Sequence, residues 1–381
     1  MKRLGVFLPR WNHLKTLLPV MEEARARGIT VSVLCPSPPL TGAGKPELLA
    51  APIVDRLLRP MWPWAEWSIL KQAPGSWAVD AIVAHGVVHN VNVINRSGIP
   101  WVAVDHLGEN AWWYLTGHPE LWEPWHRVCL SGVEADFIFP ESAYHMSKAV
   151  RTGYTALDGP HDTPAETRAA YGLPDRYLLV GTAVRANTIP WAQWQAYFRG
   201  GLYKALWHYK GPSYRQILTL LRDHARANAM ALVGKGRWKH EAHWAHRLFD
   251  HYFDDEPTDP GRALRLMQGA TMYAGGISGL ALEALAAQTP TINWAYYPPL
   301  LADHPNFRKL RADLWIDGIW QAPGIGRLYR VDDPDEWGKM VDMLDTSGPL
   351  MYYHPTASYE LRIRVVGSGG ASAKVLEACG S

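Results

Sequence analysis

The run Met272-Tyr273-Ala274-Gly275-Gly276-Ile277-Ser278-Gly279-Leu280-Ala281-Leu282-Glu283-Ala284 carries the most chemical information in this sequence. Its residue types read as a strand, a glycine-rich turn and the start of a helix. Glycines let a phosphate approach the backbone, and the first unpaired N–H groups of a helix, together with its dipole, favour a dianion. Gly275, Gly276, Ser278 and Gly279 therefore outline a diphosphate site. Ser278 can cap the helix and lend its hydroxyl to phosphate, and Glu283, about one turn further on, can accept hydrogen bonds from ribose hydroxyls. The plainer alternative is a strand-to-helix turn with Glu283 in solvent.

Polar residues that directly follow apolar runs form a second group, because an α/β sheet presents ligand-binding groups at its strand carboxyl ends. After Trp101-Val102-Ala103-Val104 come Asp105, His106 and Glu109, any of which can act as a base or hold a substrate hydroxyl; a turn of mutually bonded polar groups is the other reading. Gly181-Thr182-Ala183-Val184-Arg185 offers Arg185 to a pyrophosphate leaving group, which needs a cation if no metal is bound. Lys235, in Val233-Gly234-Lys235-Gly236-Arg237, is a further phosphate contact, and solvated surface charge is the alternative for both cations. His240, His243 and His246 recur every third residue and can share a zinc on one helix face, but the His-Glu-x-x-His spacing is absent, so no metal site is expected. The same stretch interleaves Arg237, Lys239 and Arg247 with Trp238 and Trp244, a pattern found on nucleic-acid surfaces and also on ordinary solvated helices.

These groups need a scaffold, and the periodicity supplies one. Residues 4–8 read as a buried strand, residues 14–27 as a helix through Leu14, Leu17, Leu18, Met21 and Ala24 with Gly28 as its terminator, and residues 29–34 as a second strand. That is a β-α-β unit, which calls for a parallel sheet with a right-handed crossover. Strands over 81–84, 101–104 and 137–139 and a helix over 87–96 continue the pattern. Residues 153–162, rich in turn formers, read as an interdomain linker. Beyond a helix over 165–171, strands over 176–181, 229–233, 271–274 and 291–293 alternate with helices over 214–228 and 279–287, making a second Rossmann-like series, and 371–378 reads as a last helix.

Length and composition agree. A chain of 381 residues exceeds one ordinary core, and 48% hydrophobic with 19% charged residues argues against disorder. A net charge of +2 gives no bulk attraction to nucleic acid or membranes. Three dispersed cysteines, Cys35, Cys129 and Cys379, exclude a disulfide framework and fit a reducing, cytoplasmic setting. The apolar run at 4–8 is too short for a signal core and no stretch suits a membrane helix, so no membrane insertion is expected. Most of the 19 tryptophans are expected in the core, with some left as stacking platforms for a sugar or base.

The segment Gly276-Ile277-Ser278-Gly279 through Glu283-Ala284, closed by Gln288-Thr289-Pro290 before a strand, resembles the donor-binding segment of GT-B glycosyltransferases and of non-hydrolysing nucleotide-sugar epimerases. Phe7-Leu8-Pro9-Arg10-Trp11-Asn12-His13-Leu14, with its helix ending Ala26-Arg27-Gly28, is similar to the opening of many GT-B enzymes. The resemblance implies an α/β, GT-B-like fold of two Rossmann-like, doubly wound domains facing a central cleft: an acceptor domain over 1–160, a nucleotide-sugar-binding domain over 161–355, and a helix within 356–381 that crosses back to the first domain. It implies that the small-residue loop holds the diphosphate and Glu283 the ribose. It also implies that His13 takes the acceptor's proton, which suits a side chain titrating near neutral pH; a helix-capping or structural histidine is the alternative.

The activity so implied is metal-independent transfer of a sugar from a nucleoside-diphosphate sugar such as a UDP-sugar, a co-substrate with no other cofactor, to a hydroxyl on a glycan, a small molecule or a hydroxymethylated base of phage DNA. An epimerase is the alternative, but the Gly-Thr-Arg-Pro-Glu opening and the His-Arg-Arg-Glu-Asn stretch expected of that family are missing. A non-catalytic sugar- or nucleic-acid-binding protein on the same scaffold is the third reading.

Overall fold

The computed structural model describes residues 1–36, 51–70, 77–86, 94, 98–104, 122–132, 147–159, 162–181, 214–236, 245–276, 279–295, 327–330, 334–346, 360, 362 and 367–381. The chain divides into two units: Met1–His161 with Glu256–Gly261 and Ile363–Ser381, and Asp162–Asp255 with Arg262–Arg362.

The first unit is built on a parallel sheet of β1 (Arg3–Phe7), β2 (Thr30–Pro36), β3 (Glu66–Leu70), β4 (Ala81–His85), β5 (Trp101–Val104), β6 (Arg127–Leu130) and β7 (Ala149–Arg151). Their order is β3-β2-β1-β4-β5-β6-β7, so the winding reverses between β1 and β4. Strands such as Ala81-Ile82-Val83-Ala84-His85 are buried throughout, as a parallel sheet covered on both faces requires. On one face Phe7, Ile82, Ala84 and Ala103 pack with Trp101, Trp122 and Trp125. The alternate residues point the other way, where α1 (Leu14–Ala26) and α7 (Ala371–Gly380) lie against the sheet.

Helix α1 ends as its sequence dictates. Gly28, at φ 72°, donates to the Arg25 carbonyl, and Ile29 donates to the Ala24 carbonyl, both at 2.9 Å; this is the paired closure that a left-handed glycine permits.

Residues 153–159 of the segment expected to be a linker are packed in the first unit, and the division between the units falls just beyond them, at His161 and Asp162. Thr155–Asp158 forms a 3-10 turn with Thr155, Ala156 and Leu157 buried. The Thr155 hydroxyl donates to the Thr16 carbonyl of α1 at 2.7 Å, and the Asp158 carboxylate accepts from the Gly370 and Ser372 amides at the start of α7 at 2.7 and 2.6 Å. Turn-forming residues here make a brace, with tertiary hydrogen bonds replacing the missing periodicity.

The second unit carries a parallel sheet of β8 (Tyr177–Gly181), β9 (Ala231–Lys235), β10 (His251–Phe253), β11 (Met272–Gly276), β12 (Thr291–Ala295) and β13 (Arg327–Arg330), ordered β10-β9-β8-β11-β12-β13. Its winding reverses between β8 and β11. One face packs Leu178, Val180, Leu232, Met272, Ala274, Ile292 and Trp294 against α3 (Tyr214–Ala227) and α6 (Pro334–Thr346). The residues between them face α4 (Arg262–Gly269) and α5 (Gly279–Ala286), and the Tyr177 hydroxyl reaches the Leu266 carbonyl of α4 at 2.5 Å.

The unit's first helix, α2 (Pro164–Tyr171), opens with a capping box in which Thr163 and Glu166 satisfy each other's backbone N–H groups. The expected strand over 137–139 lies outside the described residues, as does the expected helix over 87–96 apart from Ile94.

Candidate functional site

In open α/β sheets, ligands bind beyond the strand carboxyl ends where the winding reverses. This chain has two such points, one in each unit.

At the first, β1 runs into a 3-10 turn, Trp11–His13, ahead of α1, and β4 ends on His85. Both imidazoles are almost wholly buried, and they stack at 4.0 Å between centroids with 29° between planes. Thr16, one turn into α1, sits 2.9 Å from His85 Nδ1 and donates its hydroxyl proton to the His13 carbonyl at 3.0 Å. A hydroxyl has one proton, so with that proton on the carbonyl the His85 Nδ1–H is the donor to Thr16 Oγ. Beyond His85 the chain turns at Gly86, φ 66°, whose amide donates to the Val104 carbonyl at 3.0 Å. Sequence reasoning singled out His13 and missed His85, whose signal was a polar side chain closing the otherwise apolar run Ala81-Ile82-Val83-Ala84.

At the second, Gly275 and Gly276 are the last residues of β11, in strand and not in a turn, and Gly279 opens α5. A local tyrosine explains the glycine at 275: a Cβ there would fall inside the Tyr273 ring edge and hydroxyl, and one on Gly181, at the end of β8, would meet the same hydroxyl at 2.5 Å. The Tyr273 phenol thus lies along the ends of β11 and β8, in space that only side-chain-free residues leave. Glu283, one turn into α5, is wholly buried on that helix. Helix α5 closes through Gln288, a non-glycine at φ 55°, with Thr289 donating to the Ala284 carbonyl at 2.8 Å.

Asn293 completes this edge. It pairs in register with Gly275 and so shares its face of the sheet. Its side chain is fully buried, and among the described residues neither its amide oxygen nor its nitrogen has a hydrogen-bond partner. An unpaired buried amide costs about 1–3 kcal/mol. Its sequence signal is a lone asparagine inside the otherwise strand-like run Thr291-Ile292-Asn293-Trp294.

Lys235 ends β9 with its ammonium turned inward, donating to the Gly236 carbonyl at 2.8 Å and paired with Asp255. Its side chain is 2% exposed, so the charge is engaged inside the unit. Asp105, His106, Glu109, Arg185 and Ser278 lie outside the described residues, as do His240 and His243. His246 falls in a 3-10 turn, Ala245–Leu248, with its ring 3.8 Å from that of Tyr252. Among the described residues no group of three His, Cys, Asp or Glu side chains is placed to hold a metal, and no helix is long and apolar enough to cross a membrane. Cys35, Cys129 and Cys379 are free and buried, and burial pushes the thiols of Cys35 and Cys379 up to about 12.

No protein-family model matches the chain, and no curated protein matches it. Solved structures do. Arabidopsis thaliana UGT89C1 complexed with UDP-L-rhamnose superposes with a TM-score of 0.57 at 13% identity, covering 99% of each chain. S. aureus MnaA in its UDP co-structure gives 0.56 at 13% identity, over 99% of this chain and 95% of that one. The fold is GT-B. The UDP-GlcNAc 2-epimerase from Methanocaldococcus jannaschii, at 0.51 and 12% identity over 96% of this chain and 100% of that one, shows that GT-B neighbours include epimerases beside glycosyltransferases. In this GT-B chain both winding reversals carry the side chains just described, the histidine pair at β1 and β4 and the glycine edge with Glu283 and Asn293 at β8, β11 and β12.

Proposed function

We propose that the protein is a glycosyltransferase that moves a sugar from a nucleoside-diphosphate sugar, a UDP-sugar in the first instance, to a hydroxyl acceptor. The observation that carries a ligand at the second unit is Asn293: a buried amide left unpaired by the protein, beside Gly275 at the winding reversal, is satisfied when a polar ligand supplies its partner. The α5 N-terminus receives the diphosphate and Glu283 the ribose hydroxyls. At the first unit His13 takes the acceptor's proton as the acceptor oxygen bonds to the anomeric carbon. The bond from that carbon to the diphosphate oxygen breaks, and its electron pair leaves on the diphosphate. Arg185 and the helix N-terminus take up the developing charge, so this reading needs no metal. The buried free thiols agree with residence in the cytoplasm.

Support comes from the shared GT-B fold, from neighbours solved with UDP and UDP-L-rhamnose, and from the stacked histidine pair at the winding reversal of the first unit. Epimerisation is the second reading, favoured by the epimerases among the neighbours.

The test has two parts. Thermal-shift measurements with nucleoside diphosphates and their sugars should show stabilisation that weakens in Glu283→Ala, Ser278→Ala and Asn293→Ala; equal shifts in all four proteins would move the donor site elsewhere. Labelled UDP-sugars, incubated alone and with glycan, small-molecule and hydroxymethylated-DNA acceptors, should then give a glycosylated product only with an acceptor present, and alone only slow hydrolysis to the free sugar of unchanged configuration at C2. An epimerised sugar from the acceptor-free sample would refute transferase in favour of epimerase.

A further inference from the structure

We infer that His85 is a positioning residue for His13, holding the ring of the base flat and offering its own face to the imidazolium that forms when His13 takes a proton. This rests on the reading of His13 as the base. The geometry is specific. The two rings lie 4.0 Å apart and nearly parallel, well within the roughly 6 Å over which a cation is attracted to an aromatic face. Both are buried, so the ring of His13 cannot turn without displacing its neighbour.

His85 is itself fixed at two levels. Its backbone belongs to β4, in register with Val104 of β5, and its Nδ1 is bonded to Thr16 Oγ at 2.9 Å. Thr16 in turn bonds the His13 carbonyl through its hydroxyl and receives the Thr155 hydroxyl on its own carbonyl. Thr16 therefore ties together the strand bearing His85 and the turn bearing His13 through its side chain, and the brace at Thr155 through its carbonyl. A general base in an acyl- or glycosyl-transfer site is usually oriented by a hydrogen-bonded third group; here a ring face contributes the orientation.

The first test needs no substrate. Long-range ¹H–¹⁵N spectra of histidine-labelled protein, with His85 identified by its loss in His85→Phe, should show a protonated Nδ1; a lone pair on Nδ1 with the proton on Nε2 would overturn the anchoring.

The second test uses slow hydrolysis of UDP-glucose, UDP-N-acetylglucosamine or UDP-L-rhamnose, whichever raises the melting temperature most, with water as acceptor. Phe and Leu both fill the space of His85, but only Phe keeps a π face. His85→Leu should lower kcat about tenfold and His85→Phe about threefold at most, with donor KM unchanged in both, less than the roughly 10²–10⁴-fold that the acid–base group itself contributes. Thr16→Val should lower kcat in the same way, and Thr16→Ser should restore it. Equal kcat for Leu, Phe and wild type, or a change confined to KM, would overturn the proposal. His13→Gln separates the two claims: if it leaves kcat intact, the base assignment has failed, whereas damage from His13→Gln with none from His85→Leu rejects only the role of His85. Circular dichroism and melting of each variant distinguish loss of fold from loss of positioning.

Discussion

The two winding reversals share a topology and differ in what fills them. Between β1 and β4 the strand ends carry bulk: two stacked imidazoles locked to a helix by Thr16. Between β8 and β11 the strand ends are stripped to Gly181, Gly275 and Gly276, with a single phenol laid across the first two. The comparison teaches that one sheet plan can serve opposite needs. For the proposed transfer, a base at the first edge is served by close packing that fixes its ring, and a diphosphate at the second is served by strand ends with side chains out of the way. At the first edge Thr16 bonds both His85 and the His13 carbonyl, whereas at the second the buried Asn293 amide has no hydrogen-bond partner among the described residues.

The largest expected effect would come from breaking the packed edge at its base. His13→Gln should lower kcat by about 100-fold or more while leaving donor affinity in place, checked by steady-state kinetics against nucleotide binding. Loss of both would mean that the first edge also binds the donor, and the contrast would dissolve.

Next is Asp255→Asn, which removes the carboxylate charge paired with the buried Lys235 ammonium. A destabilisation of about 2–3 kcal/mol in urea titrations is expected. Since that charge is already engaged, nucleotide binding should change little; a matching fall in affinity would restore Lys235 to the donor site.

Gly275→Ala sharpens the stripped edge. Its methyl group meets the buried Tyr273 ring, and overpacking of this kind costs about 1–3 kcal/mol. The cost should shrink in a Tyr273→Val background, and an unchanged cost would show that backbone conformation, and not the tyrosine, demands glycine there.

The smallest effect near neutral pH concerns the thiols, all three of which lie in the first unit. The folded pKa of Cys35 is raised from 9.0 to about 12 by burial. The folded state therefore keeps a proton that the unfolded chain loses, and the stability contribution is full below pH 9 and declines from there towards pH 12. The slope is about 1.4 kcal/mol per pH unit for each such thiol. Melting followed at pH 7 and pH 10 should show this loss, and Cys35→Ala should remove part of it; an unchanged slope in that variant would contradict the assignment.

Much of the scaffold was legible because parallel strands buried on both faces write themselves as short apolar runs. Those at 4–8, 29–34, 81–84, 101–104 and 176–181 all correspond to strands, and Gly28 marked the end of α1. β3, with Glu66 and Ser68 exposed, β7 and β10 were not legible: as partly exposed pieces of three to five residues they take their conformation from a neighbouring strand. β6 was hidden by the polar Arg127 and the Trp–Pro stretch ahead of it.

Glu283 and His13 stand out in the sequence through motif and position, whereas His85 and Asn293 do not, because a single polar residue in an apolar strand has no period. Gly275 was recognised as a residue that must lack a side chain, but the sequence could not show that a tyrosine two positions earlier was one reason.

The brace at Thr155–Asp158 sets an order of construction. Helix α7, whose first amides Asp158 caps, belongs to the first unit, yet the ribosome makes it after the whole of the second. During synthesis the histidine-bearing sheet must wait, with the face that α7 will cover still open, until the second unit's sheet has been made. Only then can the last helix dock on β4, β5 and β6.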